Sequence, residues 1–412
     1  MKVLYLSYDG MCDALGRSQV IPYLQGLAKK GHRIHIISCE KKENYKKDGT
    51  RISRILSDSH IGWTPLKFTT FPPFVTKIYD LLKLRSAAMR HYKKGPFDVV
   101  HCRSYVAAFA GMFLQKKKGV RFVFDMRGFW VDERIEGNIW SLKNPLHRLA
   151  IWYFRKLETE YFRKADAVVC LTEKGRQIIG DRFGGEVADN TKVIPCCADT
   201  AHFSPDRIPP ATKEGARLQL GIEPSQLVLS YLGSTGTWYQ TKEMLMFFKR
   251  MLRFYPDSKF LFITGDQPSI VLDMAQTLKI DPARFAIIQS DREHVPLYLS
   301  LSSISIYFIK PVFSKIASSP TKQGETLSMG IPFITNSGVG DIEQIVAEST
   351  AGILVEDLSE EAFDQAVAKI PEMLGKDPQT IRKFAMEKFS LESGVEKYHE
   401  IYEGLRKYID AL

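Results

Sequence analysis

Two rhythms of hydrophobic and polar positions alternate along this chain. Short β-branched or aromatic runs recur at residues 3–7, 33–38, 97–102, 122–125, 167–171 and 192–195. Between them, at 18–30, 75–94, 105–116, 145–164 and 173–182, apolar residues return every three or four positions. Short runs of the first kind predict strands, and the longer periodic stretches predict amphipathic helices. Their strict alternation predicts βαβ units and a parallel sheet, with right-handed crossovers. Around 199–213 the rhythm lapses; Ser204-Pro205-Asp206 and Pro209-Pro210 mark a linker. It then restarts, with strands expected at 227–232, 259–264, 285–289, 304–309, 332–335 and 352–355. Helices are expected at 240–255, 269–278, 295–300, 321–329, 341–348, 360–374, 378–389 and 393–412. The pattern predicts an α/β protein of two Rossmann-like, doubly wound halves, residues 1–200 and 201–392, closed by the helix 393–412.

Composition adds bounds to that picture. A chain of 412 residues exceeds one ordinary core, and 44% hydrophobic with 25% charged residues describes a folded protein. No apolar run approaches the roughly 18 residues of a membrane span, and the first apolar run is too short for a signal peptide, so a cytoplasmic location is expected. The six cysteines form no Cys-x-x-Cys pair and no Cys/His spacing; reduced thiols and no metal site are expected. Charge is uneven. Residues 1–200 hold 35 Lys+Arg against 20 Asp+Glu, a balance of +15, which leaves −5 of the total +10 for residues 201–412. The first half should therefore be drawn to anionic surfaces. The helix at 75–94, with Lys77, Lys83, Arg85, Arg90, Lys93 and Lys94 among Ile78, Leu81, Leu82, Leu84 and Met89, suits an anionic lipid face; a solvated helix packed on its own sheet accounts for it equally well.

Candidate chemistry lies in loops after strands, where parallel sheets bind ligands. The stretch from Pro320 to Gly330 follows a strand and opens a helix, placing Thr321, Lys322 and Glu325 near its N-terminus, where an anion is favoured. The alternative is a capped surface helix with solvated charges. Lys315 lies in the preceding loop. In the corresponding loop after 227–232, Gly233, Ser234, Thr235 and Gly236 offer backbone and hydroxyl donors, a phosphate cradle or simply a polar turn. After the first strand, Gly16 permits close backbone approach to a ligand or serves a tight turn. In the first half His101 and Arg103, then Arg127, Trp130, Asp132 and Glu133, end strands. Aromatic faces beside carboxylates suit sugars, so Asp132 or Glu133 could take the proton of an acceptor hydroxyl, although Phe129 and Trp130 could instead pack inward. Gly-x-Gly-x-x-Gly, the P-loop motif and Asp-x-Asp are absent. A departing diphosphate would meet Lys, Arg and helix dipoles rather than a metal.

These features together resemble the GT-B glycosyltransferases, specifically the large retaining family 4, over essentially the whole chain. The resemblance rests on Leu15-Gly16-Arg17-Ser18-Gln19-Val20, Asp98-Val99-Val100-His101, Val193-Ile194-Pro195, the block Glu325 to Pro332, and Gly338-Val339-Gly340-Asp341. It implies two Rossmann-like domains facing across a cleft, with the closing helix returning to the first. It also implies that Glu325 binds the donor ribose, that the Gly16 loop lies against the diphosphate, and that basic residues of the second domain neutralise the phosphates. Same-face attack assisted by the leaving phosphate is the mechanism proposed for that family. Three departures place this chain in a divergent branch. Ala317 stands where many relatives carry the first acid of Glu-x₇-Glu; the usual Gly-Arg…Lys-Gly pair is missing; and Arg103 or Arg127 replaces a common histidine.

The function expected is transfer of a hexose-type sugar from a nucleotide diphosphate sugar to a glycan or lipid-linked acceptor. Cell-surface polysaccharide, lipopolysaccharide or glycolipid synthesis is the expected setting, and no cofactor or metal is expected. Lys322 and Lys315 would hold the diphosphate, with Thr321 beside them; Gly16 and Ser234–Gly236 would supply backbone donors. Arg127 with Asp132 or Glu133 would serve the transferred sugar or acceptor, beside His101, Arg103 and Trp130. A GT-B sugar-nucleotide epimerase is the alternative enzyme. A nucleic-acid-binding protein is the reading from charge alone, and no recognition motif supports it.

Overall fold

Seven parallel strands form the first sheet: β1 (Lys2–Ser7), β2 (Arg33–Glu40), β3 (Gly62–Lys67), β4 (Val99–Arg103), β5 (Arg121–Asp125), β6 (Ala167–Cys170) and β7 (Thr191–Val193). Their order is β3-β2-β1-β4-β5-β6-β7. Six more form a second parallel sheet, β8 (Val228–Leu232), β9 (Lys259–Ile263), β10 (Phe285–Ile288), β11 (Ile304–Tyr307), β12 (Phe333–Asn336) and β13 (Gly352–Val355), in the order β10-β9-β8-β11-β12-β13. The computed structural model describes residues 1–69 and 75–410. Its chain divides into one unit of Met1–Pro195 with the C-terminal helix from Leu391, and another of Cys196–Ser390. The last two residues of the helix expected at 393–412, and the Lys77 side chain, lie outside what is described.

Central strands of parallel sheets are covered on both faces, so they read as continuous apolar runs rather than alternating ones. Every residue of β4, β6, β8 and β11 is buried. The edge strand β3 is different. It holds Gly62 and Pro65 and is only half-buried, as suits an edge, where proline loses no ladder bond. It went unanticipated for that reason. So did the helix before it, Lys42–Asp58, which buries only Asp48, Gly49, Ile52 and Leu56.

Two expected helices divide. The stretch 18–30 becomes Ala14–Gln19 and Ile21–Lys29, broken at Val20 with Pro22 opening the second segment. The stretch 360–374 becomes Glu360–Ala368 and Ile370–Leu374, divided before Pro371. In both cases proline fits the first turn of a helix and disfavours continuation of the preceding one. Within the aperiodic stretch, Pro210 similarly begins a helix, Pro210–Gln219. The helix Leu391–Asp410 lies on Ile21–Lys29 in the first unit. Contact is close enough that a Cβ on Gly26 would stand 2.5 Å from Val395 Cγ2.

Candidate functional site

Strand order in the second sheet reverses between β8 and β11, and ligands of open α/β sheets bind beyond the strand ends at such a point. The two loops that leave β8 and β11 run side by side there. Gln240 N–H donates to Phe308 O at 2.9 Å, and Lys310 N–H to Trp238 O at 2.9 Å. Below them the helix Thr321–Ser328 is buried throughout from Lys322 onward. Gly330 ends it with a left-handed φ of 72°, and a Cβ there would meet Pro378 O at 2.8 Å.

This packing draws Lys322 inward. Its ammonium donates to Tyr231 Oη at 3.0 Å and lies 3.6 Å from the Tyr239 ring centroid and 4.1 Å from that of Tyr231. Gly233, with φ 122°, makes room: an added Cβ would stand 2.8 Å from Lys322 Nζ. Burial pushes the Lys322 pKa well below its ordinary value, against the opposing charge of Glu325. Among the described residues Lys322 makes no ion pair. Lys315, also buried, holds its ammonium 3.9 Å from the Trp238 ring centroid. The strands thus bring two buried lysines against three aromatic faces, held by cation–π contacts. Glu325 lies a turn into the helix, buried, and accepts from Arg292 Nη1 at 2.8 Å; Arg292 in turn covers the Phe203 ring.

The loop after β8 only partly resembles a phosphate cradle. Ser234 and Gly236 are exposed, and Thr237 adopts a left-handed φ of 48°. Thr235, however, gives both its N–H (2.5 Å) and its hydroxyl (2.8 Å) to Asp266 Oδ2, so that backbone donor is already used. The following helix does not begin until Thr241. Thr321 is half-buried at the first position of its helix.

In the first unit the chemistry gathers on Asp125 at the end of β5. Its carboxylate accepts from Tyr398 Oη at 3.0 Å and lies 3.7 Å from His101 Nε2 and 3.7 Å from Arg127 Nη1. Burial works to raise its pKa, but Arg127, His101 and Arg103 outweigh it and hold the carboxyl at about 2. His101 is an interior residue, not a rim one: Nδ1 bonds Tyr402 Oη at 2.6 Å. Arg103 is buried with Nε 3.5 Å from Asp9. Ser104 and Arg127 have φ of 66° and 60°, strained values for side-chain-bearing residues and typical of functional loops.

Other expected positions are differently occupied. Trp130 is 9% exposed and packs with Tyr105, Trp140 and Phe154, under the Arg134 guanidinium; it turns inward and offers no face to a sugar. Asp132 is bound by Arg155 at 2.9 Å and Arg182 at 3.4 Å, so its carboxylate is engaged in holding helices together. Glu133 is half-buried beside Arg134. Gly16 gives close approach to its own loop: a Cβ there would lie 2.2 Å from Gly10 O. In that loop Met11 and Cys12 N–H groups donate to buried Glu40, at 2.7 and 3.1 Å.

Several participants had no signal in the chain. Arg292 and the tyrosines 231 and 398 become neighbours of the candidate residues only through packing. Likewise, His32, His399 and Glu403 form a group with ligand-type spacing that no local spacing announced. His32 Nε2 and His399 Nδ1 lie 2.8 Å apart.

Residues 20–202 match the family model for Glycosyltransferase Family 4. No curated protein matches the chain by sequence. Among solved structures, sucrose-phosphate synthase from Thermosynechococcus elongatus superposes with a TM-score of 0.74 at 15% identity, over 99% of each chain. Anabaena Alr3699/HepE, solved in complex with UDP-glucose, gives 0.70 at 12% identity over 100% of each. UDP-GlcNAc 2-epimerase from Neisseria meningitidis, bound to UDP-GlcNAc, gives 0.60 at 13%, over 98% of this chain and 100% of its own. Residues 20–202 are thus similar to Glycosyltransferase Family 4, and the two parallel-sheet α/β units share the GT-B fold of these solved structures over nearly the whole chain.

Proposed function

We propose that the chain moves a sugar from a nucleotide diphosphate sugar to an acceptor hydroxyl with retention, the second unit gripping the donor and the first serving the acceptor. The observation that carries this reading is Lys322, a buried ammonium facing two tyrosine rings and a hydroxyl. A buried cation without an ion-pair partner is costly unless an anion completes it, and a diphosphate has that charge. Lys322 and Lys315 neutralise the leaving diphosphate, a role that grows as the glycosidic bond breaks. Glu325, steadied by Arg292, takes the ribose hydroxyls. Ser234 and Gly236 line the exposed side of the loop. Asp125 holds Arg127 at the first unit's rim, toward the transferred sugar or acceptor, with Asp132 or Glu133 as the candidate to accept a proton. No metal is needed where two lysines meet the charge, so activity persists in EDTA.

The binding of UDP-glucose by Alr3699/HepE supports a nucleotide sugar as donor. The acceptor class that suits the basic first half is a glycan or a lipid-linked glycan, in cell-surface polysaccharide, lipopolysaccharide or glycolipid synthesis. The test is donor turnover by Lys322→Ala with folding checked by melting. A fall in kcat on the order of 10²–10³ is expected, the cost of removing one preorganised charge-stabilising donor; an unchanged kcat removes Lys322 from the mechanism. Product NMR reads the anomeric configuration. The fold shared with an epimerase keeps one rival: incubation with donor alone gives an epimer only if no acceptor is required.

A further inference from the structure

The helix Pro145–Lys164 turns Ala150, Glu158, Tyr161 and Phe162 to the interior. Its opposite face is apolar where most surface helices are charged. Leu146, Leu149 and Trp152, with Leu142 just before the helix, are 60–66% exposed, and their spacing puts the three helical ones on one outward stripe. Contiguous exposed apolar surface of this kind marks a binding face. It is also rigidly mounted, because Trp130, Trp140 and Phe154 pack together beneath it.

Charge says what covers it. From residue 137 to residue 157 there is no Asp or Glu, while Lys143, Arg148 and Lys156 are exposed among the leucines. Lys156 Nζ lies 5.8 Å from the Trp152 ring centroid, an indole-and-ammonium pair suited to the boundary between acyl chains and headgroups. The charged Glu160–Lys164 pair is confined to the far end of the helix. Location agrees as well. In a βαβ crossover the helix starts beyond the C-terminal ends of the strands, so the apolar turns sit on the rim where β5 ends at Asp125. The helix Val75–Lys94 starts at the same rim and exposes Ile78 and Leu82 there. Its basic residues, by contrast, are partly spent: Lys83 bonds buried Asp80 and Lys67 O, and Arg85 covers Phe113.

We propose that this rim docks on an anionic lipid bilayer, with Leu146, Leu149 and Trp152 entering the headgroup–acyl boundary and Lys143, Arg148 and Lys156 meeting lipid phosphates. Docking stands apart from the transfer reaction. Only its consequence, that a lipid-linked acceptor arrives at this rim, rests on the proposed function. The docking face is centred on the helix 145–164 and not, as the sequence pattern suggested, on 75–94.

The test is co-sedimentation of the full chain with vesicles of phosphatidylcholine containing phosphatidylglycerol, against phosphatidylcholine alone, in low and high salt. Binding to the anionic vesicles that weakens sharply in high salt is expected. Leu149→Glu with Trp152→Glu, both on the surface and so neutral to the melting temperature, should weaken it at least tenfold, and Ile78→Glu with Leu82→Glu should weaken it less. Absence of vesicle binding by the unaltered chain overturns the proposal, whatever its donor turnover. So does binding that survives the 149/152 change. A dimer in solution that the 149/152 change dissociates, without vesicle binding, makes the face a contact between copies instead.

Discussion

Lys322 shows how much one side chain depends on what surrounds it. Its pKa lies below the ordinary 10.5, so the folded chain binds that proton less readily than the unfolded one. Stability therefore rises with pH from the depressed value up to 10.5. Lys322→Met removes that rise and stabilises the chain most at the acid end, which denaturant titrations at several pH values measure. For the donor the sign reverses. A diphosphate binds the ammonium form, so affinity falls as pH climbs through the Lys322 pKa, and nucleotide binding takes up protons; calorimetry in buffers of different ionisation enthalpy reads this uptake. Asp125 is the acidic counterpart. With its carboxyl held at about 2, its contribution is present above the ordinary 3.8 and lost as pH falls toward 2. Asp125→Ala removes the buried carboxylate that faces Arg127, His101 and Tyr398 and should cost on the order of 3 kcal/mol, seen as an earlier urea midpoint.

At the scale of elements, glycines mark where backbone meets backbone or a functional group. Gly16→Ala drives a Cβ into Gly10 O at 2.2 Å, a clash with main chain that cannot swing away. Destabilisation on the order of 1–3 kcal/mol is expected, with the loss read from thermal melting. The helix 321–328 illustrates how position overrides pattern. With seven consecutive buried residues, Lys322 to Ser328, it is a core helix that happens to carry a lysine and a glutamate. The sequence showed those charges but could not show that both are buried, because burial depends on the strands and on the helix Pro378–Phe389 packed against it.

For the whole molecule, charge is divided unevenly along the chain. The excess of +15 belongs to residues 1–200 and the deficit to the remainder, so salt should weaken what the first half binds more than what the second half binds. A nucleotide that binds the folded chain alone raises its melting temperature by mass action, about 2.7 kcal/mol of added stability at a hundredfold excess over Kd. A thermal-shift series with UDP, GDP and ADP sugars identifies the donor by the largest rise. Lys322→Ala should shrink that rise, measured against the melting temperature of the free variant.

The sequence by itself determined the alternation of strands and helices, the two parallel sheets and the candidate rim of Lys315, Lys322 and Glu325, because continuous apolar runs and helix periods are local signals. It missed β3 and the helix Lys42–Asp58, where edge exposure and sparse burial leave no such signal. Tertiary structure alone decided which side chains meet. Strand order places the loop at 233–240 beside that at 310–320, and Arg292 beside Glu325. Packing turned Trp130 and His101 into interior groups, committed Asp132 to Arg155, and left Leu146, Leu149 and Trp152 facing outward. Hydrophobic periodicity records how much apolar surface an element has. Only the assembled neighbours decide which part of it they cover.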